Sequence, residues 1–259
     1  MLEKFNDTAP VTYEHWIDLG RVIIPCLKGL PIVKDWSNPD FKITKEEWKQ
    51  KYSKCEIALR LDQDVDFDID NELTKRFIKT YIHNSGSIFG RDTNPSSHYM
   101  WKGKLDFIQF VLPSELKDYC KNSDHGTTLC EIRTGEKRYT IVPGSLHSKD
   151  PEYVRWERYT GIKEYKGNLN VDLRKVAFST ALSILYPPQG QRDPYCTAIA
   201  GALLKHTDWS EEEINDFVYN IAIASNDEEA DKRKSKGTSG KKSTRKFGMP
   251  KLAEIIGCS

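Results

Sequence analysis

The chain has 259 residues, 38% hydrophobic and 30% charged, enough to bury one sizeable core or two modest ones. Its 39 basic and 38 acidic residues leave a net charge of +1, so any nucleic-acid-binding surface has to be local. Six cysteines, at 26, 55, 120, 130, 196 and 258, include no Cys-x-x-Cys pair, which excludes a zinc ribbon and a small disulfide framework and fits reduced thiols in a cytoplasm. No apolar signal segment opens the chain and no run is long enough to cross a bilayer, so a cytoplasmic protein without membrane contact is expected.

In chain order, β-rich runs come first: Arg21-Val-Ile-Ile-Pro25, then Cys55-Glu-Ile-Ala-Leu-Arg-Leu61. From Asp62 to Asp70 a carboxylate then occupies every second position, with Val65, Phe67 and Ile69 between. In an extended chain that alternation sends the apolar side chains to the core and lines up Asp64, Asp66 and Asp68 on the other face. A solvated acidic edge strand is one interpretation, since charge protects sheet edges from pairing. A helix–loop–helix calcium loop is excluded, because its sixth and twelfth positions must be Gly and Glu. Counted from Asp62 they are Phe67 and Leu73, from Asp64 Ile69 and Lys75, and from Asp66 Asn71 and Phe77.

A helix is predicted over Asn71–His83, where Leu73, Phe77, Ile78 and Tyr81 recur at helical spacing. Further strands are predicted at His98–Lys102, Thr128–Arg133 and Tyr139–Pro143. From Val171 the pattern is helical: Leu173–Leu185, Pro194–His206 with a first-turn proline, and a helix opening at the capping box Ser210-Glu-Glu-Glu213. The class expected is α+β, with a mostly antiparallel or mixed sheet flanked by helices over residues 1–167. A hinge at 168–172 and an all-α bundle over 173–259 complete it, the bundle carrying a basic Gly/Ser-rich segment at 231–246.

Several short motifs follow the acidic strand. Phe89-Gly-Arg91 leads to Ser96-Ser97-His98; Glu131 and Arg133 share a strand face; Pro143-Gly-Ser-Leu-His147 follows. The order Asp-h-Asp (h apolar), Ser-x-His and strand-borne Glu resembles the three motifs of the archaeo-eukaryotic primase superfamily. It is most similar to the bifunctional primase/polymerase (prim-pol) domain of plasmid, phage and mobile-element replication proteins. Pro25, Lys28, Pro31 and Trp36 look like that family's opening segment, while Gly190-Gln-Arg192, Ala200-Gly-Ala-Leu203, Trp209, Asp227-Glu-Glu229 and Leu252-Ala-Glu-Ile-Ile-Gly257 look like the helical segment that often follows it.

The resemblance implies a DNA-dependent primase/polymerase, a nucleotidyltransferase that makes primers de novo on single-stranded template and extends them. Two Mg²⁺ or Mn²⁺ ions would serve the transfer, one at the attacking 3′-hydroxyl and one at the triphosphate. Asp66, Asp68 and Glu131 are the expected metal ligands, with Asp64 as the alternative if the register slips by one repeat; Glu56 and Asp124 also lie near strands. Ser96 and His98, on one side of an extended segment, are expected to hold the nucleoside triphosphate, His98 within the catalytic group. Arg91, Lys102, Arg133 and His147 are candidates for the remaining phosphate charge. Arg192, ahead of a helix N-terminus, is a candidate nucleotide contact in the helical part. Lysines of Lys232–Lys246 are candidate template contacts, zinc is not expected, and ribo- or deoxynucleotides are equally admissible.

No Gly-x-x-x-x-Gly-Lys-Ser/Thr loop occurs, so a helicase partner is expected in cis, the chain then being a piece of a longer primase–helicase, or in trans, with a bacterial or archaeal host cytoplasm as the setting. Two rival functions stand beside it, the first with the acidic strand merely structural and the second built on the same carboxylates. One is a non-catalytic replication-initiation module that binds single-stranded origin DNA; the other is a metal-dependent nuclease, which would cut without triphosphates.

Overall fold

The acidic row lies on an interior strand, hydrogen-bonded along both edges. The computed structural model describes residues 9–82, 86–120, 126–147, 151–237 and 248–257. The chain divides into two compact units, Met1–Val111 with Ser123–Arg174, and Leu112–Asn122 with Lys175–Ser259. The first contains helices α1 (Tyr13–Asp18), α2 (Lys45–Glu47) and α3 (Glu72–Tyr81). Its strands are β1 (Ile23–Leu27), β2 (Leu30–Pro31), β3 (Glu56–Ile69), β4 (Ser87–Gly90), β5 (His98–Lys102), β6 (Ile108–Val111), β7 (Thr128–Ile141), β8 (Leu146–His147), β9 (Glu152–Tyr153) and β10 (Arg155–Arg158). The result is mixed α+β with an antiparallel sheet, as the sequence predicts.

Strand β3 is the centre of the sheet. Ala58 pairs with both Ile24 of β1 and Ile141 of β7, and Asp66 pairs with both Met100 of β5 and Arg133 of β7. One edge of β3 is therefore covered by β7, and the other by β1 and then β5. Beyond β5 lie β4 and β10, while β6 flanks β7. An edge-strand origin for the carboxylates is thereby excluded. Val65, Phe67 and Ile69 are buried on the opposite face, as alternation requires, and each stabilises the fold by about 1.5–3 kcal/mol.

The runs 55–61 and 62–70 form one strand, and 128–133 and 139–143 form another. Two bulges shift the register between them: residues 136–138 are extra on β7 beside Arg60 and Leu61, and residues 62–64 are extra on β3 beside Thr134 and Gly135. Gly135, at φ +96°, takes a conformation that favours glycine. The bulges also switch the alternation. Leu61 packs in one cluster with Ile57, Leu59 and Met100, and Met100 is the residue opposite Asp66. An apolar core and the acidic row thus share one face of one strand.

The expected hinge at 168–172 is instead the first turn of α4 (Leu169–Ile184). Asn168 Oδ1 accepts a hydrogen bond from Val171 N at 3.2 Å, satisfying a donor that a helix start leaves open, and Tyr165 donates to Asp172 Oδ2 at 2.8 Å. The unit division falls within this helix, after Arg174. The second unit continues with α5 (Arg192–His206), α6 (Glu211–Ala224), α7 (Ala230–Arg233) and α8 (Met249–Ile256). Both halves of the Ser210/Glu213 capping box are formed.

The basic Gly/Ser-rich segment begins in a helix, α7. Arg233 is buried, its Nε donating to Asp227 Oδ2 at 2.9 Å and its Nη1 to Asp193 Oδ1 at 2.8 Å. The two carboxylates turn what looks like linker charge into a tie between α7 and α5. Residues 238–246 of the segment lie outside the described residues. No helix among the described residues is long and apolar enough to cross a membrane.

Candidate active site

Register places the sequence motifs side by side. Asp66 stands opposite Met100 and Arg133, and Asp68 opposite His98 and Glu131. Residues directly opposite in a sheet share a face, so Asp66, Asp68, His98, Glu131 and Arg133 form one patch across three strands. The next strands extend it: Phe89 of β4 is opposite His98, and Gln109 of β6 is opposite Glu131.

Within the patch, cations and carboxylates alternate. His98 Nδ1 lies 3.1 Å from Asp66 Oδ2 and 3.5 Å from Asp68 Oδ1. Arg133 pairs with Asp68 through Nη2, and its Nε donates to Glu131 Oε2 at 2.6 Å. Gln109 Nε2 donates to the other Glu131 oxygen at 2.8 Å. The imidazole is stacked on Phe89, with centroids 4.6 Å apart and planes at 4°, which fixes the ring. Burial favours neutral imidazole, but Asp66 and Asp68 outweigh it and hold the His98 pKa above its ordinary value. For Arg133 burial is likewise outweighed by Asp68, Asp66 and Glu131, and the guanidinium stays charged.

Asp64 is placed apart from this group. It is fully buried with neither oxygen in a hydrogen bond, and Arg21 Nη2 lies 3.1 Å from Oδ1. Burial raises its pKa to about 6 despite Arg21, with Asp62 adding to the effect. Asp66 and Asp68, rather than Asp64 and Asp66, are the two that meet His98.

A cleft of about 240 Å³ opens beside the patch, lined by Asp68, Arg91, Ser97, His98, Arg133 and His147 among others. That is smaller than the roughly 300–1,000 Å³ of pockets that enclose a whole small molecule, so it suits the charged end of a ligand. Arg91 Nη1 and His147 Nδ1 are 3.1 Å apart on its wall. Arg91, His98, Arg133 and His147 thus surround one small volume, and a phosphate group is the anion their fork and ring donors match.

Several predicted residues are not brought here. Ser96 takes φ +51°, which breaks the extended segment, and its hydroxyl donates to Glu157 Oε2 at 2.5 Å. Ser97, buried and in the cleft wall, takes the expected place of Ser96. Lys102 is exposed at the Asp64 end of β5. Arg192 belongs to the second unit and is paired with Asp227 at 3.3 Å and with Glu228. Glu56 accepts from Gly29 N at 2.7 Å on the far part of β3, and Asp124 lies outside the described residues.

Phe89, Ser97, Gln109 and Arg21 are the participants that sequence motifs do not single out. Phe89 and Ser97 adjoin Gly90-Arg91 and His98 in sequence, a signal that proximity alone supplies. Gln109 and Arg21 become neighbours only through strand pairing and chain packing.

Asp66, Asp68 and Glu131 are hard oxygen donors of the type Mg²⁺ and Mn²⁺ take. Their arrangement is another matter. Among the described residues no three metal-type donors converge, because His98 stands between Asp66 and Asp68 and Arg133 between Asp68 and Glu131. The set fits a divalent ion by donor type and not by geometry.

Comparison with protein-family models, curated proteins and solved structures finds no match to the chain.

Proposed function

We propose that the chain is a nucleotidyltransferase of the primase/polymerase type, with the prim-pol fold in its first unit. One observation carries this proposal: the registers of β3, β5 and β7 set Asp66/Asp68, His98 and Glu131/Arg133 side by side on one face, against a cleft of phosphate size. Three short motifs far apart in sequence have no packing reason to converge on polar side chains. Buried carboxylates are costly unless function or partners repay them.

In this assignment Arg91, His98, Arg133 and His147 receive the triphosphate, Ser97 adds a hydroxyl, and Phe89 holds the imidazole in place. Asp66, Asp68 and Glu131 would supply oxygens to Mg²⁺ or Mn²⁺ only where His98 and Arg133 turn from them to the phosphates. No step is assigned through the ions, since the carboxylates are bridged by cationic side chains. Binding charged and reacting groups in fixed geometry is the main contribution such a site makes to phosphoryl chemistry.

The test is incubation with single-stranded template, labelled ribo- or deoxynucleotides and either metal, with and without primer. Template-dependent products are expected. Strand cleavage without triphosphates would identify a nuclease instead, and binding of DNA without product in any condition a non-catalytic initiation module.

A further inference from the structure

Beyond Arg133 the cleft wall continues into a surface groove. Arg133, Thr140 and Ile141 line both the cleft and a second hollow of about 430 Å³, which Phe107, Lys137 and Arg138 also line. Those three in turn line a third hollow of about 440 Å³, with Lys104 and Gly135. All belong to the first unit.

The groove has a charge and an aromatic surface. Phe107 is 40% exposed, and Arg138 lies over its ring with Cζ 3.9 Å from the centroid. The carboxylates of the groove are largely committed. Asp62 is held by Arg60 at 2.7 and 2.9 Å, and Glu131 by Arg133 and Gln109. No ion pair joins Lys104, Lys137 or Arg138 to a carboxylate among the described residues, which leaves Glu136, with Asp106 beside Phe107 in sequence, to oppose these three cations. The bulge that carries Glu136, Lys137 and Arg138 out of the β7 ladder is what puts them there.

We propose that this groove binds single-stranded nucleic acid, its backbone following Lys104, Lys137 and Arg138 and one base adding to the stack of Arg138 on Phe107. A cationic track interleaved with an exposed aromatic ring is the combination that holds single strands without reading sequence. A protein partner of acidic character would use the cations but would leave the ring without a flat apolar counterpart. The proposal rests on the primase/polymerase assignment only for the strand's role as template or primer; its binding does not require synthesis.

The test is a titration of fluorescently labelled oligothymidylate with the full chain, by polarisation, over a range of salt. Phe107→Ala should weaken binding roughly tenfold, and Phe107→Trp should restore it. Replacing Lys104, Lys137 and Arg138 together by Gln should weaken binding further and flatten the salt dependence by about 0.7 for each phosphate no longer neutralised. Nucleotide binding and thermal melting of the same variants should match the wild type. Wild-type protein that binds no strand overturns the proposal, as do variants that bind like wild type, or a Phe107→Trp as weak as Phe107→Ala. Strand binding through these residues without product leaves the groove standing and removes the synthesis assignment. Undiminished synthesis and strand binding by the groove variants does the reverse.

Discussion

Asp64 and His98 sit in the same sheet under opposite electrostatic conditions, and each has a measurable consequence. For Asp64 the native state holds its proton more tightly than the unfolded chain, because burial raises its pKa from 3.8 to about 6. Stability therefore falls as pH rises through that interval, by about 3 kcal/mol in all. Asp64→Asn removes the buried charge but leaves a buried amide to satisfy and takes the carboxylate from Arg21, so the net gain near neutral pH is expected to be no more than about 1 kcal/mol. Urea denaturation at about pH 4 and about pH 7.5 checks it: the two proteins should converge at the lower value, within the ordinary carboxylate range. For His98 the native state favours the charged ring, since Asp66 and Asp68 more than offset burial. Its contribution is complete below the ordinary value of 6.5 and is lost as pH rises through the raised native value.

His98→Ala should weaken nucleoside triphosphate binding roughly 10–100-fold, the worth of a charge-assisted hydrogen bond, in an isothermal titration. It should also lower Tm, because Asp66 is fully buried and its hydrogen-bond partner among the described residues is His98. The carboxylates, the histidine and Arg133 were all legible as residues in the sequence. The turning of Ser96 away from the site was not, since its left-handed backbone and its bond to Glu157 arise from a turn and a distant strand.

At the scale of elements, the loop from β4 to β5 depends on a glycine. A Cβ on Gly90 would lie 2.6 Å from Asn94 O and 2.9 Å from Ser96 N, both backbone atoms that cannot move alone. Gly90→Ala should therefore shift the 91–97 turn and cost more in nucleotide binding, through Arg91 and Ser97, than in thermal stability. In the second unit, Arg233 and Asp227 are a buried pair to which Tyr186 adds a hydrogen bond at 2.7 Å. Arg233→Ala takes the buried cation from Asp227, which keeps Arg192 at 3.3 Å and the Tyr186 hydroxyl, so about 1–3 kcal/mol of destabilisation is expected in chemical denaturation.

Local patterns exposed most helices and strands: the α3 stripe, the α6 capping box and the alternation of β3 are properties of adjacent residues. The bulges were hidden: 62–64 read as the regular start of the acidic strand and 136–138 as a gap between two strands, and only pairing shows the register shifts and the strands continuing through them. The first turn of α4 read as a hinge for a similar reason, its polar Asn168 being a cap and not a break.

For the whole molecule, the class and a division into a sheet-bearing and a helical part were legible from composition along the chain. The inclusion of residues 112–122 in the second unit was not, since it depends on packing at long sequence range. Nor could the sequence reveal that an acidic strand is central, where its carboxylates must be matched by His98, Arg133 and Arg21 and not by water. That burial is the physical reason to regard the row as a site. The decisive measurement is template-dependent nucleotide incorporation by the wild type beside an Asp66→Ala/Asp68→Ala double variant, each with Mg²⁺ or Mn²⁺. Products from the wild type and a loss of at least about a thousandfold in the variant, as for removal of essential catalytic groups, are expected. A folded variant that makes product as fast as the wild type would contradict the assignment.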